Sequence, residues 1–234
     1  MTNIKQSKFE KATKVFNSVF SKYDIMNDLM SLGIHRIWKK KLISWMNPNQ
    51  EDHLVDIASG TGDVAKSFLI QTNLKGKVSC VEPNKLMLEE GKKKLSGFKN
   101  IDWYLSSAEK LPFKNETFDI YSVSFGVRNF SNINQSMKEA HRVLKIGGRF
   151  ICLEFSKVDN EILRKFYKLY SKSLPFLGKY VVGNSEPYEY LIRTINEFYD
   201  QESFSEIIKN NGFSNVEYRN LSGGIVAIHS GWKI

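Results

Sequence analysis

The fold this sequence predicts is a single α/β domain with a mainly parallel, seven-stranded sheet covered by helices on both faces. Three observations carry that expectation. From residue 53 onward, short apolar runs of strand length alternate with amphipathic runs of helix length. The first strand runs into a glycine-bearing loop that opens a helix. A chain of 234 residues, 41% hydrophobic and 25% charged, has the material for one sizeable core and the composition of neither a disordered nor a membrane-spanning protein.

Residues 8–46 read as helical, with Phe9, Ala12, Val15, Phe16, Val19 and Phe20 at spacings of three and four. His53 to Ile57 is a buried strand entering the loop Ala58-Ser59-Gly60-Thr61-Gly62, after which Val64, Ala65, Phe68 and Leu69 mark a helix face. Lys77 to Val81 is a second strand, Leu86 to Leu95 a second helix of this alternation, and Ile101 to Leu105 a third strand. Phe118 to Phe125 is the fourth strand. Asn134 to Leu144 is a helix closed by Gly147-Gly148, and Arg149 to Phe155 is the fifth strand. The stretch 156–211 turns helical and aromatic-rich, and two strand-like runs, Val216 to Leu221 and Gly224 to His229, follow. Such alternation buries a mainly parallel sheet under helices.

Several function classes are disfavoured. No apolar stretch approaches the roughly 20 residues of a spanning helix, and the first residues lack a secretory apolar core. The cytoplasm is therefore the default location. Cys80 and Cys152 sit in apolar runs and read as buried free thiols, not as a disulfide or metal ligands. The net charge of +9 is scattered over several helices, which suits a solvated surface better than nucleic-acid binding, although some of it would favour anionic lipid headgroups.

In an open α/β sheet, ligands sit beyond the carboxyl ends of the strands, which directs attention to the 58–62 loop. Gly60 and Gly62 permit a tight turn and close approach of backbone to a nucleotide, but Gly60-x-Gly62-x-x-Ala65 fits a dinucleotide site as well. Asp56, at the mouth of the first strand, would oppose a pyrophosphate and suits a cofactor carrying an ammonium and a sulfonium, which favours S-adenosylmethionine. Glu82 ends the second strand, where a carboxylate can accept bonds from both ribose hydroxyls. The stretch Ser106 to Phe113 can offer a backbone N–H and a side chain to an adenine edge, and it also reads as an ordinary turn closed by Pro112. Ser124 ends the fourth strand, near where the methionine part should lie.

Taken together, Val55 to Asp63, Ala108-Glu109-x-Leu111-Pro112-Phe113, Phe118-Asp119 and Leu144-Lys145-x-Gly147-Gly148 resemble the Rossmann-like class I methyltransferases. Three stretches are narrower. Phe20-Ser21-Lys22-Tyr23-Asp24-x-Met26-Asn27-Asp28 with His35-Arg36-x-Trp38-Lys39, Ser124 to Asn129, and Gly223 to Lys233 resemble the ubiquinone/menaquinone biosynthesis C-methyltransferase family. The resemblance runs from about Phe16 to the C-terminus.

That resemblance implies methylation of a ring carbon on a polyprenylated benzoquinol (2-methoxy-6-polyprenyl-1,4-benzoquinol) or on demethylmenaquinol. It implies cofactor contacts at Thr61, Glu82, Ser107 with Ala108, and Ser124. Glu82 stands where Asp is common, and Ser107 where many members have Asn or Asp. Arg128 and Asn129, just beyond the fourth strand, are the candidates to hold or polarise a quinol oxygen. His229 and His35 are candidate proton acceptors, and Tyr23 and Tyr188 candidate entrance residues, against a structural reading of each.

In this reading residues 1–50 form an N-terminal helical segment that completes the substrate site, and 51–234 form the catalytic domain. The aromatic segment within 156–211, Phe166 to Leu177, is a lid over an isoprenoid tail or ordinary helix packing. Lys165, Lys168, Lys172 and Lys179 beside it suit a peripheral contact with the inner leaflet. A quinone-biosynthesis complex and a homodimer are further expected partners, and nucleic acid is not. A methyltransferase acting on another small phenol, a nicotinamide oxidoreductase and an RNA-binding module remain the rivals.

Overall fold

Strands that are nearly continuous apolar runs must bury both faces, and the central strands here do so. The computed structural model describes residues 15, 17, 28, 31–158, 161, 163–165, 167, 169–170, 174–176, 183 and 185–234. Within them the chain runs α1 (His35–Met46), β1 (His53–Ile57), α2 (Asp63–Gln71), β2 (Lys77–Val81), α3 (Lys85–Lys94), β3 (Ile101–Tyr104), β4 (Phe118–Ser124), α4 (Ile133–Val143), β5 (Leu144–Phe155), α5 (Glu186–Glu197), α6 (Gln201–Asn210), β6 (Ser214–Leu221) and β7 (Val226–Trp232). The sheet order is β3-β2-β1-β4-β5-β7-β6. β1 to β5 pair in parallel, and β7 runs antiparallel to both β5 and β6.

The period-two alternation of the strands sorts the core into two layers. Leu54, Ile120, Ile151 and Ile228 pack with Trp38 and Leu42 of α1, Phe68 of α2 and Leu191 of α5. Val55, Tyr121, Phe150 and Cys152 pack with Met137 and Ala140 of α4 and Phe204 and Ile208 of α6. Helices thus cover both faces, and each fully buried Leu, Ile or Phe contributes about 1.5–3 kcal/mol relative to exposure. Cys80 and Cys152 are buried free thiols.

Short polar side chains start the helices that frame the site. Asn84 accepts hydrogen bonds from the Leu86 and Met87 N–H groups to cap α3, and Asn132 accepts from Gln135 N–H to cap α4. α1 is pinned to the sheet by Trp38, whose Nε1 donates to Ser222 Oγ at 2.9 Å. Arg149 of β5 donates from Nη1 to the Trp45 carbonyl at 2.6 Å and stacks between the Trp45 and Trp232 rings.

Two expectations need correction. The helical reading of 8–46 is interrupted at residues 32–34, where Leu32 and Gly33 adopt φ of +50° and +75°. Val15, Asn17 and Asp28 are helical, whereas Phe9, Ala12, Phe16, Val19, Phe20 and Tyr23 lie outside the described residues, as do Phe166, Lys168, Lys172, Leu177 and Lys179. Gly147-Gly148 does not close α4. That helix ends at Val143, and Leu144 already pairs with Phe118; the register then jumps so that Ile120 faces Arg149, with the glycines inside the excursion of β5. Gly147 has φ of +78°, and a Cβ on Gly148 would meet the Lys145 carbonyl at 2.8 Å, so the glycines serve a strand irregularity.

Candidate active site

The strand order reverses between β1 and β4: the chain leaves β1 toward β2 and β3, then returns to build β4 and β5 on the other side. The crevice beyond the carboxyl ends of β1 and β4 is where such a sheet binds ligands. Both strands end there in strained backbone, Ala58 at φ +50° and Phe125 at φ +58°. A Cβ on Gly126 would lie 2.7 Å from the Ala58 Cβ, so the two loops pass as closely as a residue without a side chain allows.

Two cavities open at this point and share Ala58, Gly60, Ser124 and Phe125 as a common wall. The first encloses about 610 Å³ of open space and reaches Asp56, Thr61, Asp63 and Arg128 on the sheet side and Ser31, His35 and Lys39 on the α1 side. The second encloses about 770 Å³ and is lined by Glu82, Asn84, Met87, Ser107, Ala108 and Asn129 among others.

Asp56 is 1% exposed and forms no ion pair among the described residues, although the Lys39 charge acts on it. Its Oδ1 accepts a 2.6 Å bond from Ser122 Oγ, and its Oδ2 has no partner. Burial pushes its pKa up to about 7, against the bond from Ser122. Burial does the same to Glu82, also raised to about 7, although the Gly60 and Asn84 N–H groups each donate to its carboxylate at 2.9 Å. The hydroxyls of Ser59 and Ser124 are buried without partners. A bare oxygen on Asp56, two unpartnered hydroxyls and a second buried acid around one crevice are a cradle for a ligand rich in donors and positive charge.

The next carboxylate behaves oppositely. Burial would raise the Asp63 pKa, but Lys39 and Lys94 outweigh it and hold the group well below the usual range. Lys39 of α1 reaches Asp63 Oδ2 at 2.8 Å and Lys94 of α3 reaches Oδ1 at 2.9 Å, while Lys94 also donates to Thr61 Oγ1 at 3.3 Å. The glycine loop is therefore clamped between two helices. Gly62 lines neither cavity. It has φ of +84°, and a Cβ there would meet Leu95 Cδ1 at 2.5 Å and Trp103 at 3.0 Å, so it serves close packing of α2 and α3.

Arg128 lines the first cavity and Asn129 the second, so adjacent residues face different spaces. Arg128 Nη1 donates to Glu154 Oε1 at 2.6 Å and to the Phe125 carbonyl at 2.6 Å, while Nε has no partner. The Tyr190 hydroxyl of α5 donates to Asn129 Oδ1 at 3.0 Å. Glu154 and Tyr190 were missed by the sequence reading. A lone acid within the apolar run Phe150 to Phe155 was a usable signal for Glu154; nothing in the sequence pointed to Tyr190.

His229 lies apart from these residues. It sits opposite Cys152 on the α6 side of the sheet, with its ring against Phe204 and its Nε2 3.0 Å from the Gln201 carbonyl. Burial pulls its pKa down to about 4. Tyr188 is fully buried in the core beneath α5, not at an entrance. Glu109 of the 106–113 turn accepts from the Ser131 and Asn132 N–H groups at 2.7 and 3.2 Å, which fixes the floor of the second cavity.

Residues 1–233 match the ubiE/COQ5 methyltransferase family. The chain belongs to this family. A Ruegeria sp. (strain TM1040) protein named ubiquinone/menaquinone biosynthesis C-methyltransferase UbiE is 47% identical over 94% of this chain and 89% of its own length. The mitochondrial 2-methoxy-6-polyprenyl-1,4-benzoquinol methylase of Dictyostelium discoideum is 43% identical over 98% of this chain and 83% of its own. Among solved structures, a SAM-dependent methyltransferase from Aquifex aeolicus shares the fold with a TM-score of 0.63 at 16% identity, over 84% of this chain and 89% of that one. This ubiE/COQ5 methyltransferase therefore has the α/β fold that the strand alternation predicted and the Rossmann-like class I form that the motif resemblance implied.

Proposed function

We propose that this ubiE/COQ5 methyltransferase transfers a methyl group from S-adenosylmethionine to a ring carbon of 2-methoxy-6-polyprenyl-1,4-benzoquinol, a step of ubiquinone biosynthesis. Demethylmenaquinol is the second substrate this reading admits. The observation that carries it is the pair of buried carboxylates, Asp56 and Glu82, neither in an ion pair among the described residues, at the switch point where the two cavities meet. A pyrophosphate there would be repelled, whereas a cofactor with an ammonium, a sulfonium and ribose hydroxyls supplies the charge and the donors that the site lacks.

The residues divide the work as follows. Glu82 takes the ribose hydroxyls and Ser107 with Ala108 the adenine edge in the second cavity. Asp56, with Gly60, Thr61 and Ser124, faces the amino-acid end where the cavities join. When bound, S-adenosylmethionine supplies an electrophilic methyl group. The quinol occupies the first cavity, with Arg128 beside its oxygen: the cation stabilises negative charge as the hydroxyl ionises, which makes the ring carbon nucleophilic. Asn129, held by Tyr190, borders the shared wall. α1, through His35 and Lys39, walls the first cavity and helps exclude water and fix the two reactants in line.

A peripheral membrane contact belongs to the same reading, because a polyprenyl tail keeps the substrate in a bilayer. No helix among the described residues is long and apolar enough to cross a membrane. Leu169 and Phe176 are 70% and 63% exposed and follow the basic Arg164 and Lys165 in sequence, a combination that suits an anionic interface. The test is transfer of tritium from labelled S-adenosylmethionine to the reduced, short-tailed 2-methoxy-benzoquinol and to its oxidised quinone in parallel. Label in the quinol alone supports the mechanism, since only the quinol can ionise to a nucleophilic ring. Cofactor binding without transfer to either would remove the substrate assignment.

A further inference from the structure

Most charged groups facing the first cavity are already committed. Arg128 is paired with Glu154, and Lys39 with Asp63. Asp56 is bonded to Ser122 and suits the cationic cofactor. His35, in the first turn of α1, remains. It lines the cavity while only 6% exposed. Its Nδ1 lies 2.8 Å from Ser31 Oγ, and its backbone N–H donates to the same oxygen at 3.3 Å. Asp28 Oδ1 stands 3.7 Å from Nδ1 and is itself paired with Arg36 at 2.7 Å. Nδ1 is thus occupied, and no described residue bonds Nε2.

Burial, and after it the Lys39 charge, lower the His35 pKa, against the opposing pull of Asp28. Arg36 lowers it further and Asp63 raises it; Asp56 and Arg128 are the other ionisable groups on the cavity. The imidazole is therefore neutral at physiological pH, with a free lone pair at Nε2 and a carboxylate placed to stabilise the imidazolium once formed.

We propose that His35 Nε2 is the base that takes the quinol hydroxyl proton, with Ser31 and Asp28 orienting its ring. The inference rests on the methyl transfer proposed above. The O–H electron pair is released into the ring as the proton passes to Nε2, and the ring carbon uses a ring π pair to form the new bond to the methyl group. The carbon–sulfur bond breaks with its pair left on sulfur. Loss of the proton on the methylated ring carbon restores the aromatic ring, the oxygen recovers a proton from the imidazolium, and one proton in all is released to solvent.

His35→Asn tests this, because the amide keeps a polar group at the Nδ1 position for Ser31 and removes Nε2. Measured with saturating cofactor and reduced quinol, kcat of the variant falls about 10²–10³-fold. Its melting temperature and its calorimetric affinity for S-adenosylmethionine stay at the wild-type values. The wild-type kcat shows an acid limb below the ordinary imidazole range, and the variant lacks it. An unchanged kcat and limb overturn the base assignment while leaving methyl transfer intact. Parallel loss of cofactor affinity and melting temperature makes His35 a structural residue and overturns it too. A wild-type protein that binds the cofactor and methylates no quinol overturns both readings.

Discussion

With Asp56 and Glu82 holding the cofactor as proposed, its binding is a proton-linked event. Both carboxyls titrate near 7 in the cofactor-free protein, because burial disfavours their charge. A bound ammonium and two ribose hydroxyls favour the ionised forms, so binding must expel whatever protons the free site holds. The factor is 1 + 10^(7 − pH) for each group: about 11 near pH 6 and about 1.1 near pH 8. The dissociation constant for S-adenosylmethionine should therefore rise about tenfold per group, and about a hundredfold for the two, between roughly pH 8 and roughly pH 6. The sign is consistent with stability. Acids whose folded pKa is raised stabilise the free protein below about pH 4 and withdraw that stability as pH rises through about 7. The cofactor should thus raise the melting temperature more near pH 8 than near pH 6. Calorimetry in two buffers of different ionisation enthalpy reads both the constant and the protons released. Asp56→Asn should cut the pH dependence to about tenfold. An affinity independent of pH, with no proton release, would refute the argument that these carboxylates await a cation.

Other expectations follow from single contacts. Arg149→Ala removes two cation–π contacts and a bond to the Trp45 carbonyl, and should cost about 3 kcal/mol in urea unfolding, with α1 loosened and the first cavity opened. A loss below about 0.5 kcal/mol would mean that α1 is held elsewhere. Glu154→Gln leaves the Arg128 charge buried without its counter-ion; stability should fall by about 3 kcal/mol and kcat should fall with KM little changed, and an unaffected kcat would detach Arg128 from the chemistry. His229, whose folded pKa is lowered to about 4, should make the protein lose stability as pH falls from about 6.5 toward 4, because only the unfolded chain takes up the proton there. Thermal melts of His229→Phe should lack that component; an identical pH profile would assign it to another group.

The sheet was legible because its signals are local. Short, nearly continuous apolar runs ended by loops place β1 and β2 at the residues read from the sequence. The end of α4 and the start of β5 were not, since glycines that look like a helix terminator also serve a strand excursion, and only the pairing of Phe118 with Leu144 distinguishes the two uses. The residues that line the crevice were legible for a related reason: Asp56 and Ser124 lie at the ends of β1 and β4, Glu82 and Ser107 in the loops after β2 and β3, and parallel strands bring their ends together. His229 shows where that logic stops. Its strand runs antiparallel to its neighbours, and the choice of face depends on a pairing with Cys152 that no local pattern encodes. Glu154 and Tyr190 act through contacts 26 and 61 residues away in sequence, with Arg128 and Asn129 respectively.

The central claim is transfer of a methyl group to carbon on a prenylated benzoquinol. Its most direct test is to supply S-adenosylmethionine labelled with ¹³C in the methyl group, together with the reduced 2-methoxy-6-prenyl-benzoquinol, and to locate the label in the product by NMR. The account predicts a ¹³C methyl bonded to a ring carbon, with the original methoxy group unlabelled and both hydroxyls free. A labelled methoxy group, or no labelled product from a protein that binds the cofactor, would contradict it.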